Sequence, residues 1–126
     1  MFKRIDHVEI IPTDFQRTLD FYTGVLGFTV RERFAVDAGP LAEIAYIVLG
    51  DTVIELMRVA QAAPPDTEPW RVGYHALALE VDDMAQAVAY LQKQGIPLAW
   101  GPVDLGNSTR AEIRDPDGLV IELRQW

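Results

Sequence analysis

Two stretches of this chain carry the same order of parts, and that duplication restricts the folds open to it. Residues 5–11, Ile-Asp-His-Val-Glu-Ile-Ile, and residues 75–81, His-Ala-Leu-Ala-Leu-Glu-Val, each read as a strand leading into a helix. The first helix has Thr13 and Asp14 as cap candidates, Gln16 placed for a capping box, and Phe15, Leu19 and Tyr22 at i, i+4, i+7. The second has Asp82 and Asp83, Gln86, and Met84, Val88 and Leu91, an apolar stripe displaced by 69 positions. Gly27 and Gly95, 68 apart, stop the two helices. Val53-Ile54-Glu55-Leu56 and Val120-Ile121-Glu122-Leu123 end the two halves, their glutamates 67 apart. Any one match is ordinary packing periodicity; the collinear series indicates one unit present twice.

At 126 residues the chain is too short for two ordinary independent domains, so the expectation is a single domain, residues 1–126, whose halves share a core. The fold class expected is α+β, two tandem βαβββ modules: module one about 1–59, a linker about 60–74 holding Pro64-Pro65, Pro69 and Gly73, and module two about 75–126. Phe28 to Phe34, Ile44 to Leu49 and Thr52 to Val59 should complete the first sheet. Residues 98–101, 109–114 and 119–125 should complete the second, with Asp115-Pro116-Asp117-Gly118 as the turn between its last strands.

The repeat also places chemistry. Strand alternation puts His7, Glu9 and Ile11 on one face and Val8 and Ile10 on the other, and it separates Glu55 from Ile54 and Leu56, and Glu122 from Ile121 and Leu123. His75 shares its face with Leu77 and Leu79, and the expectation is that both histidines and both glutamates lie on the helix-free sides of their sheets. These are the chain's only two histidines, and cysteine is absent. A metal site here therefore uses imidazole and carboxylate. His7, Glu55, His75 and Glu122 form the expected set, suited to Ni²⁺, Co²⁺, Zn²⁺, Mn²⁺ or Fe²⁺ with positions left for substrate oxygens.

Charge and hydropathy narrow the partners. A net charge of −8 with no local cluster of Lys and Arg argues against nucleic acid and anionic membrane surfaces. The longest apolar run, Ile44 to Leu49, is far too short to cross a bilayer, and Asp6 and His7 stand where an export signal needs apolar residues. The expectation is a cytoplasmic protein acting on a small molecule.

Asp6-His7-Val8, Leu19-Asp20-Phe21-Tyr22 through Leu26-Gly27-Phe28, Gly50-Asp51 through Glu55-Leu56, His75 through Asp83, and Asp115-Pro116-Asp117-Gly118 through Glu122-Leu123 together resemble the vicinal oxygen chelate superfamily. That superfamily groups glyoxalase I, methylmalonyl-CoA epimerase, extradiol dioxygenases, fosfomycin-resistance transferases and bleomycin-binding proteins. The resemblance implies a glyoxalase-like fold whose sheets form a metal-centred cup, often completed in a homodimer. By its His-Glu-His-Glu pattern the chain is most similar to glyoxalase I, the lactoylglutathione lyase. This implies a metal-dependent lyase or isomerase working through an enediolate, with Glu122 or Glu55 moving the proton.

Ile11 stands where glyoxalase I has an arginine for glutathione; Arg110, Arg114 and Arg124 are the remaining arginines that could meet an anionic substrate. Glu43 sits roughly where methylmalonyl-CoA epimerases carry a catalytic glutamate, and is a third candidate base. The alternatives are an epimerase-like enzyme, an extradiol dioxygenase-like enzyme, and a non-catalytic binding or resistance protein with Trp70, Trp100, Tyr46 and Phe34 stacking on a planar ligand.

Overall fold

In the computed structural model, which describes residues 1–126, the chain divides into two units, Met1–Pro65 and Asp66–Trp126. The first unit runs β1 (Val8–Ile10), α1 (Phe15–Asp20), a π-helical turn (Phe21–Val25), β2 (Thr29–Ala38), β3 (Leu41–Leu49) and β4 (Thr52–Val59). The second runs β5 (Ala76–Glu80), α2 (Met84–Lys93), β6 (Trp100–Asp104), β7 (Thr109–Arg114) and β8 (Val120–Gln125). Each is βαβββ. The sheets have matching orders, β1-β4-β3-β2 and β5-β8-β7-β6, in which the first strand lies parallel to the last and the other pairs are antiparallel.

Local chemistry explains the starts and stops. The Asp14 carboxylate accepts from the Arg17 backbone N–H and the Asp83 carboxylate from that of Gln86, both at 3.0 Å, so each aspartate satisfies a helix donor that would otherwise be orphaned. Gln16 takes no part in the first cap, because its amide donates to Asp20 one turn on. Gly27 and Gly95, at φ of 81° and 73°, supply the left-handed residue that ends each helical segment. In the second unit Asp115 builds the last turn by accepting at 2.9 Å from the backbone N–H groups of both Asp117 and Leu119.

One face of each sheet is packed beneath its helix. Ala45, Ile47, Ile54 and Leu56 are buried along with Phe15, Leu19 and Tyr22 in the first unit; Ala111, Ile113, Ile121 and Leu123 are buried along with Met84 and Leu91 in the second. Each fully buried aliphatic side chain stabilises its unit by about 1.5–3 kcal/mol relative to exposure.

The two modules differ in length at one informative place. From cap to last buried helical residue the displacement is 69: Asp14 to Asp83, Phe15 to Met84, Tyr22 to Leu91. After the helices it is 68, Gly27 to Gly95. The π-helical turn accounts for the change. The first segment closes with Leu26 N–H donating to the Phe21 carbonyl and Phe28 N–H to the Tyr22 carbonyl, whereas the second closes with Ile96 N–H on the Leu91 carbonyl. Module one thus spends one more residue than module two in leaving its helix. Strand β1 precedes that extra residue, so its equivalence to β5 carries the displacement 69.

Candidate functional site

In the first unit β1 lies beside β4 with Glu9 opposite Glu55, and β3 lies on the other side with Tyr46 opposite Glu55. Residues paired in this way project to the same face. His7, two residues before Glu9, shares it. The His7 Nε2 atom is 3.1 Å from a Glu55 carboxylate oxygen and 3.5 Å from one of Glu9. One ligand atom from each of the three residues fits within 4.8 Å of the others. Glu55 is buried at 6% exposure, Glu9 is exposed, and His7 is half-buried, so the cluster opens to solvent on one side.

The other imidazole nitrogen is tied down. His7 Nδ1 lies 2.9 Å from Asp6, which turns Nε2 toward the two glutamates. The bond to Asp6 raises the imidazole pKa above its ordinary 6.5 against the opposing effect of burial, and Glu9 and Glu55 add to the rise. Tyr46 closes the inner side: its ring meets the His7 ring edge-on at 5.9 Å, and it stands opposite Glu55 in the ladder. Burial first, and then the negative charge of Glu55, push the phenol pKa up. This side of module one is an imidazole facing two carboxylates, with a neutral hydroxyl behind.

The second unit answers the same problem differently. Ala78 lies opposite Glu122 in the parallel ladder, so Glu122 shares its face with Ala76, Ala78 and Glu80, while Leu77 and Leu79 lie opposite the buried Ile121 and Leu123 on the helix-packed face. The sequence expectation set His75 with Leu77 and Leu79 and also with Glu122, and these two placements are incompatible. His75 sits ahead of β5, stacked on Trp70 with ring centroids 5.4 Å apart and planes at 11°. The structure does not bring His75 into the relation to Glu122 that His7 has to Glu55.

Glu122 is instead held by guanidinium groups. Arg124 Nε donates to it at 2.7 Å and Arg110 Nε forms an ion pair with it at 3.0 Å, while Arg110 also pairs with Glu112 and Arg124 with the Ser108 hydroxyl. Register explains the grouping, since Arg110 lies opposite Arg124 and Glu112 opposite Glu122. Trp100 and Trp126 lie 5.4 and 5.3 Å beneath the two guanidinium carbons. Arg124, two residues beyond Glu122 on β8, shares its face.

Glu43 is displaced from the expected chemistry altogether. Alternation along β3 aligns it with Ala45 and Ile47, the helix-packed face, away from Tyr46. Its carboxylate is clamped by Arg33 at 2.6 Å and Arg58 at 2.9 Å, whose guanidinium groups lie over the Phe15 ring. Those arginines hold its pKa below the ordinary 4.5. Glu43 thus lies on the opposite face of the sheet from His7 and Glu55, anchored between two arginines.

Sequence reasoning passed over Glu9 and gave Tyr46 only a stacking role. The signal for Glu9 was present, because it follows His7 by two on the same face.

The family model for the Glyoxalase/Bleomycin resistance protein/Dioxygenase superfamily matches residues 4–123. The uncharacterized protein YaeR of Escherichia coli is 32% identical over 96% of this chain and 95% of its own. A lactoylglutathione lyase of Neisseria meningitidis is 32% identical over 97% of this chain and 90% of its own. The crystal structure of a glyoxalase family protein from Enterococcus faecalis superposes with a TM-score of 0.79 at 30% identity, covering 98% of both chains. With matching βαβββ modules and a match spanning nearly all of its length, this chain belongs to the glyoxalase/bleomycin resistance/dioxygenase superfamily.

Proposed function

We propose that the protein is a divalent-metal-dependent lyase or isomerase of glyoxalase type, acting on a small molecule with two neighbouring oxygens. One observation carries the reading: a half-buried imidazole with its Nδ1 occupied turns Nε2 onto a buried carboxylate at 3.1 Å, with a second carboxylate at 3.5 Å. Imidazole and carboxylate donors in that number suit Zn²⁺, Ni²⁺, Co²⁺, Mn²⁺ or Fe²⁺, and His7 and Glu55 would hold the ion. Bound there, the cation supplies positive charge to the paired substrate oxygens and lowers the pKa of the carbon acid between them.

The rest falls to the chain's own groups. A carboxylate removes the proton from one carbon and returns it to its neighbour while the hydroxyl proton passes to the other oxygen, so the carbonyl moves one carbon along through an enediol and the atom count of the substrate is unchanged. Glu55 and Glu122, at the equivalent position of the two modules, are the bases to weigh. Tyr46, kept neutral by its environment, stands beside Glu55 across the ladder. A homodimer in the cytoplasm completes the proposal, isologous pairing being the commonest assembly; no helix is long and apolar enough to cross a membrane.

The relative named as a lactoylglutathione lyase makes hemithioacetals the first substrates to try, and acyl-CoA thioesters the second. After reconstitution with each metal, turnover in deuterated water should place deuterium at the reacting carbon of the product. Glu55→Gln or Glu122→Gln, whichever removes the base, should lower turnover by about 10²–10⁴-fold. Product with no exchange, at normal speed in both variants, contradicts the proton-transfer reading.

A specific observation favours a second reading. In module two the guanidinium of Arg110 lies against Trp100 and that of Arg124 against Trp126, with Glu122 already satisfied between them. That arrangement suits a binding protein for a planar ligand. Tight binding of such a ligand by protein that turns over no member of the substrate panel would favour it.

A further inference from the structure

The proposed enzyme needs donors for its metal, and the two modules are unequal in supplying them. The equivalence of β1 to β5 is fixed three times over. The cap aspartates Asp14 and Asp83, the buried helical residues Phe15 and Met84, and the ladder pairs Glu9 with Glu55 and Ala78 with Glu122 all align Glu9 with Ala78 and His7 with Ala76. The two histidines match at 68, the displacement that holds only beyond the π-helical turn. Because side chains alternate along a strand, that slip of one residue reverses the face. Module two therefore presents a methyl group where module one presents an imidazole.

Module one carries what module two lacks. Glu9 and Glu55 stand directly opposite one another, a like-charge pairing that is destabilising on its own, and His7 is the only ion-pair partner either of them has. Module two places Ala78 opposite Glu122 on the parallel side and neutralises the Glu112–Glu122 pairing on the other side with two arginines. A carboxylate holding the distal nitrogen of an imidazole, as Asp6 holds His7, is also the usual support of a metal-ligating histidine.

Resting on the metal-dependent reading above, we infer that the divalent cation is held by His7, Glu9 and Glu55 of module one, with Ala76 at the position a second histidine would need and His75 outside the donor set. Glu9 is then the third protein donor, and exposed enough to move when substrate enters.

Zinc binding to the whole chain tests this, with isothermal titration for affinity and elemental analysis for stoichiometry. Glu9 and His75 are both exposed, so Glu9→Gln and His75→Ala should leave the circular dichroism unchanged, and Glu9→Gln, which relieves the repulsion from Glu55, should not lower the melting temperature. His75→Ala should bind Zn²⁺ within about threefold of the unaltered chain. Glu9→Gln and His7→Ala should bind at least about tenfold more weakly, since loss of a direct donor matters no less than the outer contacts that shift affinity 10–100-fold. Loss of binding in His75→Ala, or retention of it in Glu9→Gln, overturns the inference while leaving the enzyme metal-dependent. Failure of the unaltered chain to take up Zn²⁺, Ni²⁺ or Mn²⁺ overturns the metal-dependent reading itself.

Discussion

Module one and module two solve the same backbone problem and then part company on a single face of the sheet. Their helix-packed faces carry the same residue types at the same places, Ile54 and Leu56 against Ile121 and Leu123, because both must fill the space beneath an amphipathic helix. On the other face, register aligns Ile44 and Met57 with Arg110 and Arg124, and His7 and Glu9 with Ala76 and Ala78. Both modules keep the central glutamate, Glu55 or Glu122. One surrounds it with an imidazole and a second acid, the other with two guanidinium groups. Packing conserves the covered face of a duplicated unit, while the open face is free to take up separate tasks.

The largest expected effect tests the shared half of that comparison. Ile54→Ala and Ile121→Ala remove buried side chains from equivalent strands and should each destabilise the protein by about 2–5 kcal/mol in chemical denaturation. A loss under about 1 kcal/mol in either one would break the equivalence of the two cores.

The next effect tests the half that differs. Glu122→Gln deprives Arg124 of its charge partner and Arg110 of one of its two, and should cost about 1–3 kcal/mol, discounted toward the lower end because the Arg110 and Arg124 side chains are 29% and 21% exposed. Glu55→Gln also relieves the repulsion from Glu9, so its loss of stability should be the smaller of the two. Equal losses in denaturation midpoint would mean that the two glutamates have equivalent surroundings.

The caps come third. Asp14→Ala and Asp83→Ala each remove an acceptor from a helix start and should cost about 0.5–2 kcal/mol. Thermal melts should show similar decreases, and a neutral result in one would show that its helix is held by packing alone.

The smallest effect concerns Glu43, which has no counterpart in module two's charge network. Its folded pKa lies below the ordinary 4.5, so the stability it contributes is present above that value and is lost as pH falls through the depressed folded value. Glu43→Gln should flatten the acid limb of the stability curve below pH 4.5 and leave enzymatic proton transfer untouched. An unchanged acid limb would show that Arg33 and Arg58 exert no differential hold on it.

Much of this was legible in the sequence, for reasons that also mark where legibility ends. The strand, helix and turn order follows from local signals: aspartates at the caps, glycine after each helix, and Asp115-Pro116-Asp117-Gly118 at the last turn. The strands β4 and β7 match their expected ranges, 52–59 and 109–114. The π-helical turn left no such signal, being only one residue of extra length in a segment that still looks helical. That residue let His75 pass as the mate of His7, and a slip of one changes the face of a strand side chain. The ion pairs of Arg110 and Arg124 were equally hidden, since long flexible side chains choose partners by cross-strand geometry that periodicity alone does not give.

The proposed site places the metal on the first module's histidine, and the chain's two histidines make that directly observable. Nitrogen chemical shifts of both imidazoles should be followed while Zn²⁺ is added to the ¹⁵N-labelled protein. With the metal on module one, His7 Nε2 should move to the metal-bound position in step with saturation while the His75 ring keeps the shifts it has without metal. Movement of both rings together to metal-bound positions, or of neither, would contradict it.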